Sequence, residues 1–131
     1  SRDLEGVRRC VLDAVWKAQG RGCAPGVLGV CIGGDRATGY AHAKEQFLRK
    51  LGDRSEVKVL ARLEDRLTRD IRKMEIGPMG LGGKTSSLGV KVGTLSRLPA
   101  SFFVSVSYMC WAFRRRGVLL GPEGGVHRWV Y

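Results

Sequence analysis

The chain has 131 residues, 44% of them hydrophobic, and a formal net charge of +11. The length fits one domain, and the apolar fraction is enough for a packed core, which argues against a disordered tail. No apolar run approaches the ~20 residues of a membrane helix, and residues 1–5 lack the layout of a signal peptide, so we expect a soluble, cytoplasmic protein.

The first third of the chain is predicted to contain one helix and one strand. The helix covers residues 3–18, with Asp3 as its N-cap and Gly20 and Gly22 at its end. Its apolar side chains recur at spacings of three and four and share one face: Leu4, Val7, Val11 and Val15. A tight loop at 22–26 follows, and the apolar run 27–32 has the length and β-branched content of a buried strand.

Two further helices are predicted at residues 38–51 and 54–75, the second capped by Ser55. The second helix carries an apolar stripe: Leu60, Leu63, Leu67, Ile71 and Met74. Its other face carries a run of charges, which we interpret as a solvated surface: Arg62, Glu64, Asp65, Arg66, Arg69, Asp70 and Arg72.

The rest of the chain is predicted to be strand and loop. A glycine-rich loop covers 76–87, and strand-like segments follow at 88–93, 102–109 and 126–130. Helices and strands do not alternate strictly, so we expect a mixed α/β (α+β) domain in which helices are layered on a mixed sheet.

The glycine-rich loop resembles a nucleotide-binding P-loop only at its end, Gly82-Gly83-Lys84-Thr85. A P-loop requires a glycine five positions before Gly83, and Pro78 stands there. The loop also follows a helix and precedes a strand, the reverse of the P-loop order. Nucleotide binding is therefore disfavoured, although the loop can present backbone N–H groups and Lys84 to an anion such as a carboxylate.

The four cysteines differ in their settings and form no Cys-x-x-Cys pair, which argues against a zinc ribbon. Cys10 lies in a predicted helix and Cys31 in a predicted strand, so both are interpreted as small buried hydrophobes. Cys23 lies in a Gly-Pro loop, and Cys110 ends a strand before the basic run 114–116. Thiols in such places are suited to iron–sulfur or zinc ligation. Nothing pairs His42 or His127 with a nucleophile, and no catalytic residue is assigned.

Three segments, in order, carry a resemblance to one family. They are Gly22-Cys23-Ala24-Pro25-Gly26, the loop Ile76-Gly77-Pro78-Met79-Gly80-Leu81-Gly82-Gly83-Lys84-Thr85-Ser86, and Arg97-Leu98-Pro99-Ala100-Ser101 through Cys110-Trp111-Ala112. Together they resemble the alpha region of class I iron–sulfur fumarate hydratases and L(+)-tartrate dehydratases. The resemblance covers about residues 4 to 120, and it implies that 1–131 is a single domain from the C-terminal part of that region.

This resemblance implies a [4Fe–4S] cluster held by three cysteines, of which Cys23 and Cys110 are two. Gly82, Gly83 and Lys84 are expected to line or brace the site. The implied reaction is the reversible hydration of a C4 dicarboxylic acid, fumarate and malate or tartrate. The implied partners are the remaining alpha segment and a beta subunit or domain, in a homo- or hetero-oligomer.

The chain departs from the family pattern at two important points. The family's further cysteine ligand comes from an earlier Cys-Gln-Asp-Thr-Gly type segment, and the chain contains no such segment. Leu98 stands where the family has a histidine that contacts substrate, and leucine cannot hydrogen-bond a carboxylate. We therefore expect this chain alone to be inactive, and the sequence does not distinguish one dicarboxylate from another.

Two other functions follow from the same sequence. Leu98 and the missing cysteine segment also fit a non-catalytic, partner-binding relative of the same fold. The net charge of +11 fits a nucleic-acid-binding domain less well, because the basic runs at 8–9, 62–73 and 114–116 are separate and lack interleaved aromatic residues.

Overall fold

A computed structural model of the chain describes residues 1–112 and 115–130 and confirms the mixed α+β class. The helices are α1 (Leu4–Ala18), α2 (Arg36–Glu45) and α3 (Lys58–Arg72), and the strands are β1 (Gly26–Gly34), β2 (Ser87–Arg97), β3 (Val104–Met109), β4 (Val118–Leu120) and β5 (Val126–Trp129). Short 3₁₀ turns cover Gln19–Gly22, Gln46–Leu48 and Pro78–Gly80. None of the described helices combines the length and the apolar character needed to cross a bilayer.

The main sheet has β1 at its centre, between β2 and β3. β2 runs parallel to β1, from Gly26↔Ser87 to Gly34↔Arg97, and β3 runs antiparallel, with Val27 opposite Met109. The parallel pair is joined by a long crossover through α2 and α3, as parallel strands require. The start of β1, the start of β2 and the end of β3 therefore meet at one end of the sheet, which we call the cysteine end.

One face of the sheet carries the hydrophobic core, which is covered by α1 and α3. The predicted stripes are confirmed at their central residues: Val7, Val11 and Val15 on α1 and Leu60, Leu63, Leu67 and Ile71 on α3 are all buried. The prediction is wrong for Leu4, which is 40% exposed in the first turn of α1, and Met74 lies beyond the end of α3, half-buried against the core. The buried residues of both helices pack against alternate side chains of the strands: Leu28, Val30, Val90 and Val92. The predicted N-cap is confirmed as well, since Asp3 Oδ1 accepts a hydrogen bond of 2.7 Å from the Gly6 N–H.

The opposite face of the sheet packs against α2 through very small residues. A side chain at Gly29 would overlap the carbonyl oxygen of Ala43, so the helix backbone lies directly on the strand. Cys31, on the same face, is fully buried, as predicted. The lack of a Cβ at Gly29 thus determines how closely this layer approaches.

The helix boundaries differ from those predicted. α2 begins at Arg36 because Asp35 and Thr38 form a capping box, and it ends at Glu45 in a 3₁₀ turn instead of running to residue 51. α3 begins at Lys58, not at 54, and its N-cap residue, Val57, forms no side-chain cap. The prediction that Ser55 caps this helix is wrong; its hydroxyl instead accepts a hydrogen bond of 3.3 Å from the Val57 N–H.

Two predictions about burial are also wrong. Cys10 is exposed, because at 100° per residue it lies about 100° from the centre of the α1 stripe. Glu64 does not belong to a solvated face, since it is 5% exposed and bonds into the sheet. Its neighbours on α3, Asp65 and Arg66, are exposed as predicted.

The chain ends in a small hairpin of β4 and β5, in which Val118 pairs with Trp129 and Leu120 with Val126. β5 agrees with the strand predicted at 126–130. Every residue of the two strands is exposed. Of the basic run at 114–116, Arg114 lies outside the described residues.

Candidate functional site

The two cysteines in loop settings lie at the same end of the sheet. Cys23 comes three residues before β1, and Cys110 directly follows β3. Because β1 and β3 are antiparallel, the start of one strand lies beside the end of the other. Both side chains are half-buried, whereas Cys10 is exposed and Cys31 is inside the core.

Cys23 has an unusual backbone conformation. It ends the 3₁₀ turn with φ 52° and ψ 56°, in the left-handed region, and its N–H donates to the Gly20 carbonyl at 3.1 Å. Residues other than glycine seldom adopt this conformation, and those that do cluster at functional sites. The strain singles out Cys23 among the four cysteines.

The glycine-rich loop packs directly on the Cys23 loop. The Met79 N–H donates to the Ala24 carbonyl at 2.8 Å, and a side chain at Gly20 would overlap the Met79 carbonyl. The buried Ser86 hydroxyl closes the glycine-rich loop from the other side by accepting from the Gly77 N–H at 3.1 Å. Backbone contact between the two loops therefore fixes the position of Cys23.

The predicted site residues of the glycine-rich loop lie on the surface and do not make its contacts to the Cys23 loop. Gly82, Gly83 and Lys84 are exposed, and the contacts to the Cys23 loop come from Met79 and Gly80 instead. The N–H groups of Gly82 and Gly83 donate within the loop, to the carbonyls of Ile76 and Glu75. The predicted role of these three residues in lining the site stays a prediction.

Cys110 lies in a pocket of about 220 Å³ with a mixed lining. Its Sγ accepts a hydrogen bond of 3.3 Å from the Ala112 N–H, in the turn that follows β3. The pocket is lined by Val27, Phe47, Arg49, Lys50, Leu51, Leu88, Lys91, Trp111 and Arg115 as well as Cys110. Four of these residues are cations.

Two of the four cations are neutralised within the fold. Arg49 pairs with the buried Glu64 at 2.7 Å, and Lys91 pairs with Asp53 at 2.9 Å. Burial alone would raise the pKa of Asp53, but its bonds to Arg49 and Lys91 hold that pKa below the ordinary value. Lys50 and Arg115 also line the pocket, and a lining with four cations favours an anionic ligand.

Tyr108 contacts the Cys23 loop and lies two residues before Cys110, and sequence reasoning missed it. A methyl group at Gly22 would lie 2.6 Å from Cε1 of Tyr108, and one at Gly26 would lie 2.7 Å from it. Burial raises the pKa of Tyr108, the Gly26 N–H lowers it, and the nearby thiols Cys23 and Cys110 raise it further. The sequence signal was the pair of glycines on either side of Cys23, since glycine allows a ring to lie against the backbone.

The first two segments singled out in the sequence and the end of the third share one surface at the cysteine end. A shallow apolar cavity of about 480 Å³ there is lined by Ala24, Pro25, Pro78, Met79 and Trp111 from these segments and by Leu88 of β2. Met79 and Trp111 are about half exposed there. The fold thus brings together parts of the chain that are more than 80 residues apart in sequence.

A sequence model described as fumarate hydratase (Fumerase) matches residues 1–118. The chain belongs to this fumarate hydratase family. A provisionally named class I fumarate hydratase of Geobacillus stearothermophilus is 52% identical over 131 residues, which are 99% of this chain and 26% of that protein.

Two alpha subunits of L(+)-tartrate dehydratase are also similar to the chain. The provisionally named one of Methanocaldococcus jannaschii is 38% identical over 88% of this chain, and that of Escherichia coli strain K12 is 35% identical over 92%. The matched regions are 40% and 39% of those two proteins. This fumarate hydratase region therefore spans between a quarter and two fifths of the length of these relatives.

Leu98, where the resemblance implies a histidine, lies away from the cysteines. It follows β2, whose last residue, Arg97, pairs with Gly34 at the far end of β1. The eight steps from Gly26 to Gly34 correspond to about 26 Å of extended strand. Within this fumarate hydratase region Cys23 and Cys110 lie at one end of the sheet and Leu98 lies at the other.

Proposed function

We propose that this chain is the part of a hydro-lyase that supplies Cys23 and Cys110 as two of three cysteine ligands of a [4Fe–4S] cluster. The reaction would be the reversible hydration of a C4 dicarboxylic acid. The relatives are named as fumarate and tartrate enzymes, which supports this class of substrate without selecting one.

One observation carries the proposal: the antiparallel pairing of β1 and β3 places both loop cysteines at one end of the sheet. The two residues lie 87 positions apart in sequence, so only the fold accounts for their proximity. The other two cysteines lie elsewhere, one on the exposed side of α1 and one in the core.

The donors present fit part of such a cluster. The Ala112 N–H directed at Cys110 Sγ resembles the backbone hydrogen bonds that tune iron–sulfur sites, and the cations nearby offset the negative charge of thiolate ligands. Across residues 1–112 and 115–130 no three His, Cys, Asp or Glu side chains are grouped closely enough to hold a metal ion. The proposal therefore takes the third ligand from a segment beyond this chain.

The chain's own residues contribute binding and positioning. When bound, the cluster supplies a Lewis-acidic iron that polarises the oxygens of the substrate. Lys50 and the other cations that line the pocket beside Cys110 favour a carboxylate there. Leu88 and Trp111 provide an apolar wall that limits the access of water. The proposal assigns no proton transfer to a residue of this chain.

The test uses a full-length protein that contains this region, reconstituted with iron and sulfide without oxygen. Cys23→Ser and Cys110→Ser are each expected to remove most of the broad visible absorbance of the cluster and most of the bound iron. Cys10→Ser is the matched control, because this cysteine is exposed on α1. Iron content like that of the wild type in both site variants would overturn the ligand assignment.

A second candidate function is that of a non-catalytic, partner-binding relative. It is favoured by Leu98, an apolar residue, 46% exposed, at the histidine position of the family. In a cluster-loaded full-length protein, the hydro-lyase proposal expects hydration of fumarate or dehydration of malate or tartrate above background. Activity that stays at background with the cluster present would favour the non-catalytic candidate.

A further inference from the structure

The ring of Tyr108 fills the space between the two cysteine-bearing segments. Tyr108 belongs to β3, pairs with Leu28 of β1 and lies two residues before Cys110. Its ring contacts the backbone at both Gly22 and Gly26, the two residues that flank Cys23-Ala24-Pro25. The ring therefore touches both ends of the Cys23 loop.

These contacts require glycine at both positions. At Gly22 an added methyl group would lie 2.6 Å from Cε1 and 2.7 Å from Cδ1 of the ring, far inside van der Waals contact. Neither Gly22 nor Gly26 has a positive φ, so backbone conformation is not what demands glycine there. The demand is steric. At Gly22 it comes from the Tyr108 ring, whereas at Gly26 it comes from the Met109 carbonyl oxygen, at 2.3 Å from an added methyl group, and from the ring at 2.7 Å.

We propose that Tyr108 is the positioning residue of the cysteine site, whose ring holds the Cys23 loop at a fixed place relative to Cys110. The inference rests on the proposed function, since the spacing of these two thiols matters only if they ligate one group. The ring carbons make the close contacts at Gly22 and Gly26 and carry most of this role, and the hydroxyl adds a bond from the Gly26 N–H.

The test measures how fast iodoacetamide alkylates Cys23 in the chain at fixed pH, with peptide mass spectrometry to separate the four cysteines. Tyr108→Leu removes the ring and is expected to raise the rate at Cys23 about tenfold, because the loop then opens more often. Tyr108→Phe keeps the ring and loses only the bond from the Gly26 N–H, so it should raise the rate by no more than about twofold. Cys10, which is exposed, is the internal reference, and Tyr40→Leu on the exposed side of α2 is the control.

A double-mutant cycle separates positioning from a general loss of stability. Gly22→Ala presses against the ring and is expected to raise the Cys23 rate several-fold by itself. In Gly22→Ala/Tyr108→Leu the clash is gone, so the effects should be clearly non-additive. If Tyr108→Leu fails to fold, the alkylation rate of Cys23 in Gly22→Ala alone tests the role of Tyr108. An unchanged rate in that variant would overturn the inference.

The outcomes distinguish this inference from the proposed function. In the reconstituted full-length protein, Tyr108→Leu should release iron to a chelator faster than the wild type, and Tyr108→Phe should not. If the Cys23 rate is unchanged in Tyr108→Leu, Tyr108 is not the positioning residue, even when both cysteines prove to be ligands. If the serine variants keep their iron, the cluster proposal fails, and the alkylation rates still decide the role of Tyr108.

Discussion

Glu64 joins three parts of the fold through a single carboxylate. It accepts hydrogen bonds from Arg49 at 2.7 Å, from the Val92 N–H at 2.8 Å and from the Ser55 N–H at 3.2 Å. Its side chain is only 6% exposed, so these partners replace water almost completely. Through Arg49 the network reaches the pocket of Cys110, because Arg115 donates to the Arg49 carbonyl at 2.7 Å.

Glu64→Ala is expected to lower the free energy of unfolding by about 3 kcal/mol, because it leaves two backbone N–H groups without their acceptor and Arg49 with Asp53 as its remaining ionic partner. Urea denaturation monitored by circular dichroism measures the change. Asp13→Ala is the control, since the Asp13–Lys17 pair on α1 is 58% and 73% exposed and should contribute less than about 1 kcal/mol. Equal effects of the two substitutions would contradict the importance of the buried network.

Asp70 makes the stability of the fold depend on pH. Burial would raise its pKa, but the bond from Arg8 Nε at 2.6 Å and the nearby Lys73 and Arg66 hold that pKa below the ordinary value of 3.8. Because the folded pKa is the lower one, the ionised carboxylate stabilises the fold above pH 3.8, and this contribution is lost as the pH falls through the folded pKa.

Asp70→Asn should therefore be less stable than the wild type near neutral pH, and its stability should fall less steeply as the pH drops below 3.8. Urea denaturation at a series of pH values compares the two slopes. If the free energy of unfolding falls with pH in parallel for the two proteins, Asp70 is not the source of the pH dependence.

At the scale of the elements, the strands decide where the site residues lie, and glycines decide how closely the layers pack. Gly29 on β1 lets the backbone of α2 lie on the sheet, next to the ring of Phe47, whose Cε1 would be 3.2 Å from an added methyl group. Gly52, in the loop after α2, has no atom within 4 Å of such a methyl group.

Gly29→Ala should destabilise the fold by about 1–3 kcal/mol, because the added methyl group overlaps the Ala43 carbonyl. Gly52→Ala is the matched control and should change stability by no more than about 0.5 kcal/mol. Thermal unfolding of the two variants beside the wild type measures the difference. If Gly29→Ala is as stable as the control, α2 can move away from the sheet without a loss of stability, and the close packing at Gly29 is not required.

The sequence predicted those elements whose signal is local. The stripe of α1 and the strand β1 are found where their periodicity and apolar run place them. The pairing of β1 with β2 has no local signal, because it joins residues about 60 positions apart. The buried role of Glu64 could not be read from α3 alone, since its partners Arg49 and Val92 come from other elements.

The candidate site was predictable only in part. Cys23 and Cys110 stood out through their loop settings and the three ordered segments, and both are at the cysteine end. Tyr108 was missed because a strand of alternating residues gives no sign of which ring reaches a neighbouring loop. The contact between Met79 and the Cys23 loop could not be predicted either, because it joins two loops that are far apart in sequence.

At the scale of the whole molecule, the chain is strongly basic, and exposed apolar side chains lie at its cysteine end. The chain carries a net charge of +11, and the part of each longer relative that it matches is only 26% to 40% of that relative's length. Exposed apolar side chains surround the cysteine end, among them Leu51, Met79, Leu81 and Trp111. A surface of this kind is typical of a contact region.

We accordingly predict that this chain alone gives only background hydration of fumarate and background dehydration of malate or tartrate, even after anaerobic treatment with iron and sulfide. The physical reason is that the chain supplies two of the three proposed ligands. A full-length protein treated in parallel is the positive control. Turnover by the chain alone at a rate comparable with that control would contradict the prediction.

The hairpin of β4 and β5 is expected to unfold independently of the main sheet. Val118, Leu120, Val126 and Trp129 lie on one of its faces and are 39% to 61% exposed, so little burial stabilises the two strands. Such a unit opens by itself, at a free energy far below that of global unfolding. In deuterated water its amides should exchange well before those of β1, and the hairpin will behave as a separately melting segment until some surface covers its apolar face.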